Sequence, residues 1–341
     1  MKHETQQYNF SQVLQRAVAR GDDPYPLIVE IHPTDACNLA CSFCFGGKNG
    51  YRGNSRQPTP LSVDQYGALF KEMKTLGIQQ LSISGGGEPF VDPRTVEIMQ
   101  RAEEQGLVVR VVTNGTIATQ RILDRLLAAQ EVRFSLNAFA AETYAALKGH
   151  HTEHLYHKAL DTLKSLVQER KQRGKTVQIG VTFLISRLNI REALPFAIHM
   201  VQVLGVDRVI FKYDIFALTA LSQAEQLALK ERIEAAVQPI IQAEQKVEFR
   251  LSPTMDLAGL ACFVPYFKIA LNPYGAVYSC CLGSQPGERN GFRLGDLQEA
   301  NLQTIWAKTA VLRRHMQQGV HCQQCNHTDY LLNQRWVQAH S

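Results

Sequence analysis

The chain has 341 residues, 20% of them charged and 45% in the hydrophobic class, with a net charge of +5. That balance describes a folded globular chain and excludes a disordered one. No run of about 18 apolar residues occurs, which excludes a membrane-spanning helix, and the mild charge forms no basic stripe for nucleic acid. The length suits one large unit with a smaller one appended.

The eight cysteines are unevenly placed: three lie at 37–44 and five between 262 and 325. Met1 to Asp23 has no apolar core of the signal-peptide kind, so a cytoplasmic location is expected. Cysteines grouped this way in an unexported chain suit metal ligation better than disulfides.

Residues 1–26 read as a lead-in, with a short helix over Ser11–Arg20 before the turn at Gly21. A segment this short does not make an independent domain. From residue 27 onward, short β-rich runs alternate with amphipathic segments. Strands are expected at Leu27–Ile31, Gln80–Ser84, Val108–Val112, Val132–Leu136, Val177–Leu184 and Arg208–Lys212. Helices are expected at Ser62–Leu76, Pro93–Gly106, Thr119–Ala129, Glu153–Arg173 and Asn189–Leu204. Such alternation predicts an α/β fold with a parallel sheet and right-handed crossovers, here a partial (β/α)6 barrel of the TIM type spanning 27–245. Chemistry in such folds gathers at the carboxyl ends of the strands.

Directly after the first strand comes His32-Pro33-Thr34-Asp35-Ala36-Cys37-Asn38-Leu39-Ala40-Cys41-Ser42-Phe43-Cys44. Three thiolates so close in sequence can each reach one iron of a [4Fe–4S] cube, leaving the fourth iron open to a ligand. A zinc site would need a fourth donor nearby. The spacing C-x3-C-x2-C, with Phe43 before its last cysteine, resembles the signature of the radical S-adenosylmethionine (SAM) superfamily. The resemblance implies that the open iron chelates the methionine part of SAM. One electron from the cluster then cleaves the sulfonium to a 5′-deoxyadenosyl radical. It also implies an electron donor such as flavodoxin or ferredoxin.

Later motifs extend the resemblance. Ser84-Gly85-Gly86-Gly87-Glu88-Pro89 follows the second strand. It resembles the family's GGE turn, which implies contact with the SAM amino group. Glycines there let the backbone approach a ligand closely. Thr113 and Asn114 close the third strand, and Ser135 and Asn137 the fourth, where the family places contacts to the SAM ribose or carboxylate. Relatives more often carry Asp where Asn137 stands. Ser135 and Asn137 are expected on one strand face.

Lys48–Pro60 is expected to be a loop or a flap at the entrance. His150, His151, His154 and His157 read as a solvated surface. Tyr213 and Asp214, at the end of the sixth strand, are candidates for substrate contact or proton removal. Ser222–Glu244 is read as a long charged helix.

A second module is expected over 246–341, a small α+β unit. It opens with a possible strand at Val247–Leu251. A hairpin around Asn272-Pro273-Tyr274-Gly275 is bracketed by Cys262 and Cys280, and a helix over Leu297–Gln317 leads to Cys322-Gln323-Gln324-Cys325. Gly275 to Cys280, Gly295-Asp296-Leu297 and Ile305-Trp306 resemble the auxiliary-cluster modules of radical SAM enzymes, called SPASM. No cysteine follows Cys325, which resembles the shortened "twitch" form. That form implies one auxiliary [4Fe–4S] cluster on Cys262, Cys280, Cys322 and Cys325, with a structural zinc as the alternative. Cys281 is left as packing, as a hydrogen-atom donor, or as a ligand exchanging with Cys280. The resemblance implies oxidation or epimerisation of a small polar substrate such as an aminocyclitol or sugar. The alternative is modification of a ribosomally made precursor peptide.

Overall fold

The computed structural model describes residues 17, 21–44, 59–149, 151–213, 222, 224–225, 227–228, 231–232, 235, 238, 246–250, 257–283, 292–322 and 325–338. The lead-in helix, most of the 48–60 loop, His150, Asp214 and most of the Ser222–Glu244 helix lie outside them.

The chain is a mixed α/β structure built on one ten-stranded sheet. Its first six strands are β1 (Ile28–Ile31), β2 (Gln80–Ile83), β3 (Val108–Thr113), β4 (Glu131–Ser135), β5 (Gln178–Ile185) and β6 (Arg208–Tyr213). Each pairs in parallel with the next, the partial barrel expected from the alternation. Between them run α1 (Val63–Thr75), α2 (Thr95–Glu104), α3 (Gln120–Ala128), α4 (Ala141–Lys148), α5 (Glu153–Gln172) and α6 (Ala193–Ile198).

Local signals set several of these boundaries. A capping box starts α1: Gln65 N–H donates to Ser62 Oγ at 3.2 Å, and Ser62 N–H donates to Gln65 Oε1 at 2.8 Å. Thr119 caps α3 more simply, its Oγ1 accepting from Ile122 N–H at 3.3 Å. The helix expected over Asn189–Leu204 is instead a 3-10 turn (Ile190–Glu192), then α6, then a π turn (His199–Val203). Asn189 is held in the turn, because its side chain donates to the carbonyls of Asn137 (2.8 Å) and Leu184 (2.7 Å). The short helix α4 was not expected.

Strand residues alternate between two environments. One row, including Val29, Ile31, Leu81, Ile83, Val111, Phe134, Val181 and Phe211, is buried. It forms one core with apolar faces of the surrounding helices, for example Phe70, Ile98, Leu126, Leu163 and Phe196. Each fully buried large side chain contributes about 1.5–3 kcal/mol. The opposite row faces the barrel interior and is polar, carrying Glu30, Ser82, Arg110, Arg133 and Lys212.

After residue 245 the sheet continues. Strand β7 (Val247–Arg250) pairs in parallel with β6. Strand β8 (Ala258–Leu260) leaves the large sheet and pairs antiparallel with β12 (Val320–His321). The expected hairpin forms as β9 (Lys268–Leu271) and β10 (Ala276–Tyr278), extended by β11 (Arg293–Asp296). Strand β9 also pairs in parallel with β1, from Ile28–Lys268 to Ile31–Leu271. The sheet order is therefore β11-β10-β9-β1-β2-β3-β4-β5-β6-β7.

Helix α7 (Val264–Phe267) precedes β9. The helix expected at Leu297–Gln317 is two helices, α8 (Leu302–Lys308) and α9 (Ala310–Gln318), and α10 (His327–Gln338) follows Cys325 unanticipated. Glu72 of α1 accepts from the N–H groups of Leu302 (3.1 Å) and Gln303 (2.8 Å), which ties α8 to the barrel. A carboxylate at a helix start is stabilised by the orphan N–H groups there.

Candidate active site and thiol centres

The loop after β1 is gripped from three sides. From β2, Gly87 N–H donates to Thr34 O at 3.0 Å and Glu88 N–H to Ala36 O at 2.9 Å. The approach is so close that a Cβ on Gly87 would lie 2.0 Å from Ala36 O, and one on Gly86 would lie 2.3 Å from Asp35 Oδ1. The glycines, expected to admit a ligand, are thus required by the cysteine loop itself. From β3, Asn114 Nδ2 donates to Asn38 Oδ1 at 2.9 Å, and Asn38 Nδ2 donates to Thr116 Oγ1 at 2.8 Å. From α4, the carbonyls of Lys148 and Leu147 accept from Ala40 N–H (2.8 Å) and Ser42 N–H (2.9 Å).

Glu88 is 3% exposed and sits among hydrogen-bond donors. Its carboxylate accepts from Thr113 Oγ1 (2.6 Å), Asn114 N–H (2.6 Å) and Phe90 N–H (3.4 Å). Burial raises its pKa, and the donors from Thr113, Asn114 and Phe90 oppose that rise. Pro89 opens a 3-10 turn, and its carbonyl accepts from Thr95 Oγ1.

Lys148, which sequence reading missed, is 2% exposed. Its ammonium donates to Ser135 O at 2.7 Å and lies 5.3 Å from the centre of the Phe43 ring. Ser135 is the last residue of β4, whereas Asn137 lies past the strand with φ of 66°. The alternation expected to place both on one face therefore ends before Asn137. Its Oδ1 accepts from Leu184 N–H at 2.9 Å, a structural tie to β5.

Three thiols, Cys37, Cys41 and Cys44, line this loop, with Cys37 exposed and the other two half-buried. Although the residue as a whole is exposed, desolvation of its sulfur by the surrounding loop pushes the Cys37 thiol up to about 11, and the neighbouring Cys41, Glu88 and Cys44 add to the rise. Burial also raises Cys41, against the nearby Lys148 charge. Next to them Tyr144 is fully buried, and its hydroxyl has no hydrogen-bond partner among the described residues. Burial raises its pKa, and the proximity of Cys41, Glu88 and Cys37 raises it further. A soft three-sulfur donor set beside an unanswered donor fits a sulfide-bearing cluster.

The second group of cysteines comes together from four elements. Cys262 follows β8 and its N–H donates to Met316 O at 2.9 Å. Cys280 follows β10, Cys322 follows β12, and Cys325 precedes α10. Among the described residues no three of these side chains stand at the spacing of a single metal ion, but they feel one another's charge: burial raises Cys262 and Cys325 strongly and Cys280 to about 11, and the other thiols add. Asn333 of α10 fixes the Cys262 segment, accepting from Phe263 N–H at 2.7 Å and donating to Ala261 O at 2.7 Å. Four thiols so grouped suit an iron–sulfur cluster.

Cys281 turns away into a small apolar cluster with Ala270 and Leu282. Its thiol donates to Asp329 Oδ2 at 3.5 Å. Asp329 in turn pairs with Lys268 Nζ (3.3 Å), Lys268 with Glu30 (3.1 Å), and Glu30 with His32 (3.2 Å). This buried chain links the end of β1 to α10, and the sequence carried no signal for it. Tyr213 ends β6 opposite Ile185. His151, His154 and His157 are exposed, the solvated surface expected of them.

A parallel half-barrel with a three-thiol loop at its carboxyl ends, continued into a four-thiol module, defines an iron–sulfur radical enzyme. The family model of the Radical SAM superfamily matches residues 31–183, and that of the SPASM iron–sulfur cluster-binding domain matches residues 262–326. The chain belongs to the radical SAM superfamily and carries a SPASM domain. Its cofactors are accordingly SAM with a [4Fe–4S] cluster, and auxiliary iron–sulfur in the second module in place of zinc.

It is 24% identical over 326 residues to the mycofactocin maturase MftC of Mycobacterium tuberculosis (strain CDC 1551 / Oshkosh), covering 91% of this chain and 78% of that protein. It is 25% identical over 256 residues to the PqqA peptide cyclase of Ruegeria pomeroyi, covering 74% and 64%. Among solved structures, Streptococcus suis SuiB bound to precursor peptide SuiA shares the fold with a TM-score of 0.61 at 16% identity, covering 83% of this chain and 64% of that one. The two sequence relatives, a maturase and a peptide cyclase, favour the peptide alternative over oxidation or epimerisation of a small polar substrate.

Proposed function

We propose that the chain is a maturase that modifies a precursor peptide by hydrogen-atom abstraction. The observation that carries the reading is the 91% coverage of the chain by similarity to a maturase, running through both thiol modules. When bound, SAM and its cluster supply a one-electron reductive cleavage that activates an otherwise inert C–H bond. Cys37, Cys41 and Cys44 would hold that cluster, with Phe43 and the Lys148 ammonium stacked beside the loop. The turn of Gly85, Gly86, Gly87, Glu88 and Pro89 presents SAM's amino group to backbone carbonyls. Thr113, Asn114 and Ser135 line the ribose and carboxylate end. Cys262, Cys280, Cys322 and Cys325 would hold the auxiliary cluster, which would supply an electron acceptor beside the substrate. Tyr213 and Asp214 remain candidates for substrate contact.

The test is anaerobic. The reconstituted enzyme, SAM and a low-potential reductant are incubated with short peptides, any encoded beside its gene among them, and the product is read by mass spectrometry. Loss of hydrogen from that peptide, with 5′-deoxyadenosine formed alongside, is expected. An unchanged peptide together with turnover of an aminocyclitol or sugar would overturn the reading.

A further inference from the structure

The inward row of the barrel carries more positive charge than its carboxylates answer. Arg110 lies 3.8 Å from Glu131. Arg208 and Arg250 share Glu248, at 3.7 and 2.6 Å. Lys268 is taken up by Glu30 and Asp329 at 3.1 and 3.3 Å. Two cations of the same row are left over. Arg133 of β4 and Lys212 of β6 make no hydrogen bond or ion pair among the described residues.

The register places both near the strand ends from which the cysteine loop rises. Arg133 is two residues before Ser135, and Lys212 precedes Tyr213, pairing with Leu184 and Arg250. Between Arg133 and Arg208 the register sets Gly180. A Cβ there would meet Arg208 O at 3.5 Å and Arg208 Cβ at 3.7 Å, ordinary contact, so it is the missing side chain of Gly180 that keeps the wall between Arg133 and Arg208 low. Burial and the charges of Arg133, Arg250 and Lys268 bring the Lys212 ammonium down to about 7, against the pull of Asp329. Mutual repulsion of this kind is relieved by an arriving anion.

We infer that Lys212 and Arg133 form a subsite for a carboxylate of the substrate, held inside the barrel by the lysine ammonium and the guanidinium fork. This rests on the peptide reading only in taking that carboxylate from an acidic side chain or a chain end.

The test uses the anaerobic holoenzyme with SAM bound and follows acetylation of each lysine by mass spectrometry at mildly alkaline pH. A desolvated Lys212 acetylates faster than the surface lysines. Acetyl-Ala-Glu-Ala-amide should slow it by roughly fivefold, and acetyl-Ala-Gln-Ala-amide should not. Arg133→Met should abolish that protection, while Arg133→Lys should retain part of it. Protection by acetyl-Ala-Gln-Ala with a free carboxyl end assigns the subsite to a chain end instead of a side chain. Glutarate protecting where the Glu peptide fails leaves the anion subsite standing and sinks the peptide reading. Equal protection by the Glu and Gln amides leaves peptide binding intact and overturns the carboxylate subsite. No protection by any probe, or a Lys212 no more reactive than surface lysines, overturns it as well.

Discussion

Gly87 sits against Ala36 so tightly that a methyl group on its Cα would lie 2.0 Å from the Ala36 carbonyl oxygen. The second βα turn is therefore part of the mould for the cysteine loop. Gly87→Ala should leave the sheet folded yet lose the first cluster, so that iron falls to roughly half of the two-cluster content. Iron analysis with circular dichroism checks this; full iron in the variant refutes it.

Tyr144 offers a second test. Its hydroxyl is buried and without a partner among the described residues, so Tyr144→Phe should leave the stability of the iron-free chain within about 1 kcal/mol of the parent. If the hydroxyl answers the cluster or SAM, the midpoint potential of the first cluster must move. An unchanged potential in a redox titration would remove Tyr144 from the site.

Asn137 is held by its own geometry. Asn137→Ala deletes the acceptor of Leu184 N–H and leaves a residue with φ of 66° that alanine adopts poorly. A loss of about 2–3 kcal/mol is expected in urea unfolding of the iron-free chain. A loss of SAM binding at unchanged stability would instead make it a ligand contact.

Glu30 gives a pH dependence. Burial raises its carboxyl, but the Lys268 charge and the His32 hydrogen bond hold it well below its ordinary 4.5. An acid depressed on folding adds stability above its unfolded value, and that stability is lost as pH falls toward the folded value. At neutral pH Glu30→Gln should cost roughly 3 kcal/mol, because it leaves Lys268 short of a partner. The gap between parent and variant should narrow as pH drops below about 4.5. A gap that stays constant from pH 7 to 3 would show that the pair contributes nothing by its charge.

Cys322→Ser and Cys325→Ser should abolish the modified product while sparing 5′-deoxyadenosine formation, if the auxiliary cluster serves as electron acceptor. Loss of both activities would make the second module a structural support for the first.

The sequence made legible what is local. The spacing of Cys37, Cys41 and Cys44, the Gly85–Glu88 turn and the alternation of strands and helices each fit within a short window, and the structure places them as expected. Helix α4 escaped because Ala141–Lys148 shows little segregation of apolar from polar residues, yet its Lys148 lies directly behind the cysteine loop. The chain His32–Glu30–Lys268–Asp329–Cys281 escaped for another reason. Its members come from β1, β9, the β10 turn and α10, and only the β1–β9 pairing brings them together. Asn137 misled because a strand that ends one residue early breaks the alternation used to aim its side chain.

That same pairing governs how the enzyme can breathe. Two-module enzymes often admit bulky guests by swinging one lobe away from the other, but here such a swing would tear a ladder running through the middle of the sheet. The span an electron must cross between the two groups of thiols is thereby frozen into the backbone, constant from one turnover to the next. Among the described strands the sheet ends at β7, so a long guest would thread in past that margin or over the loops.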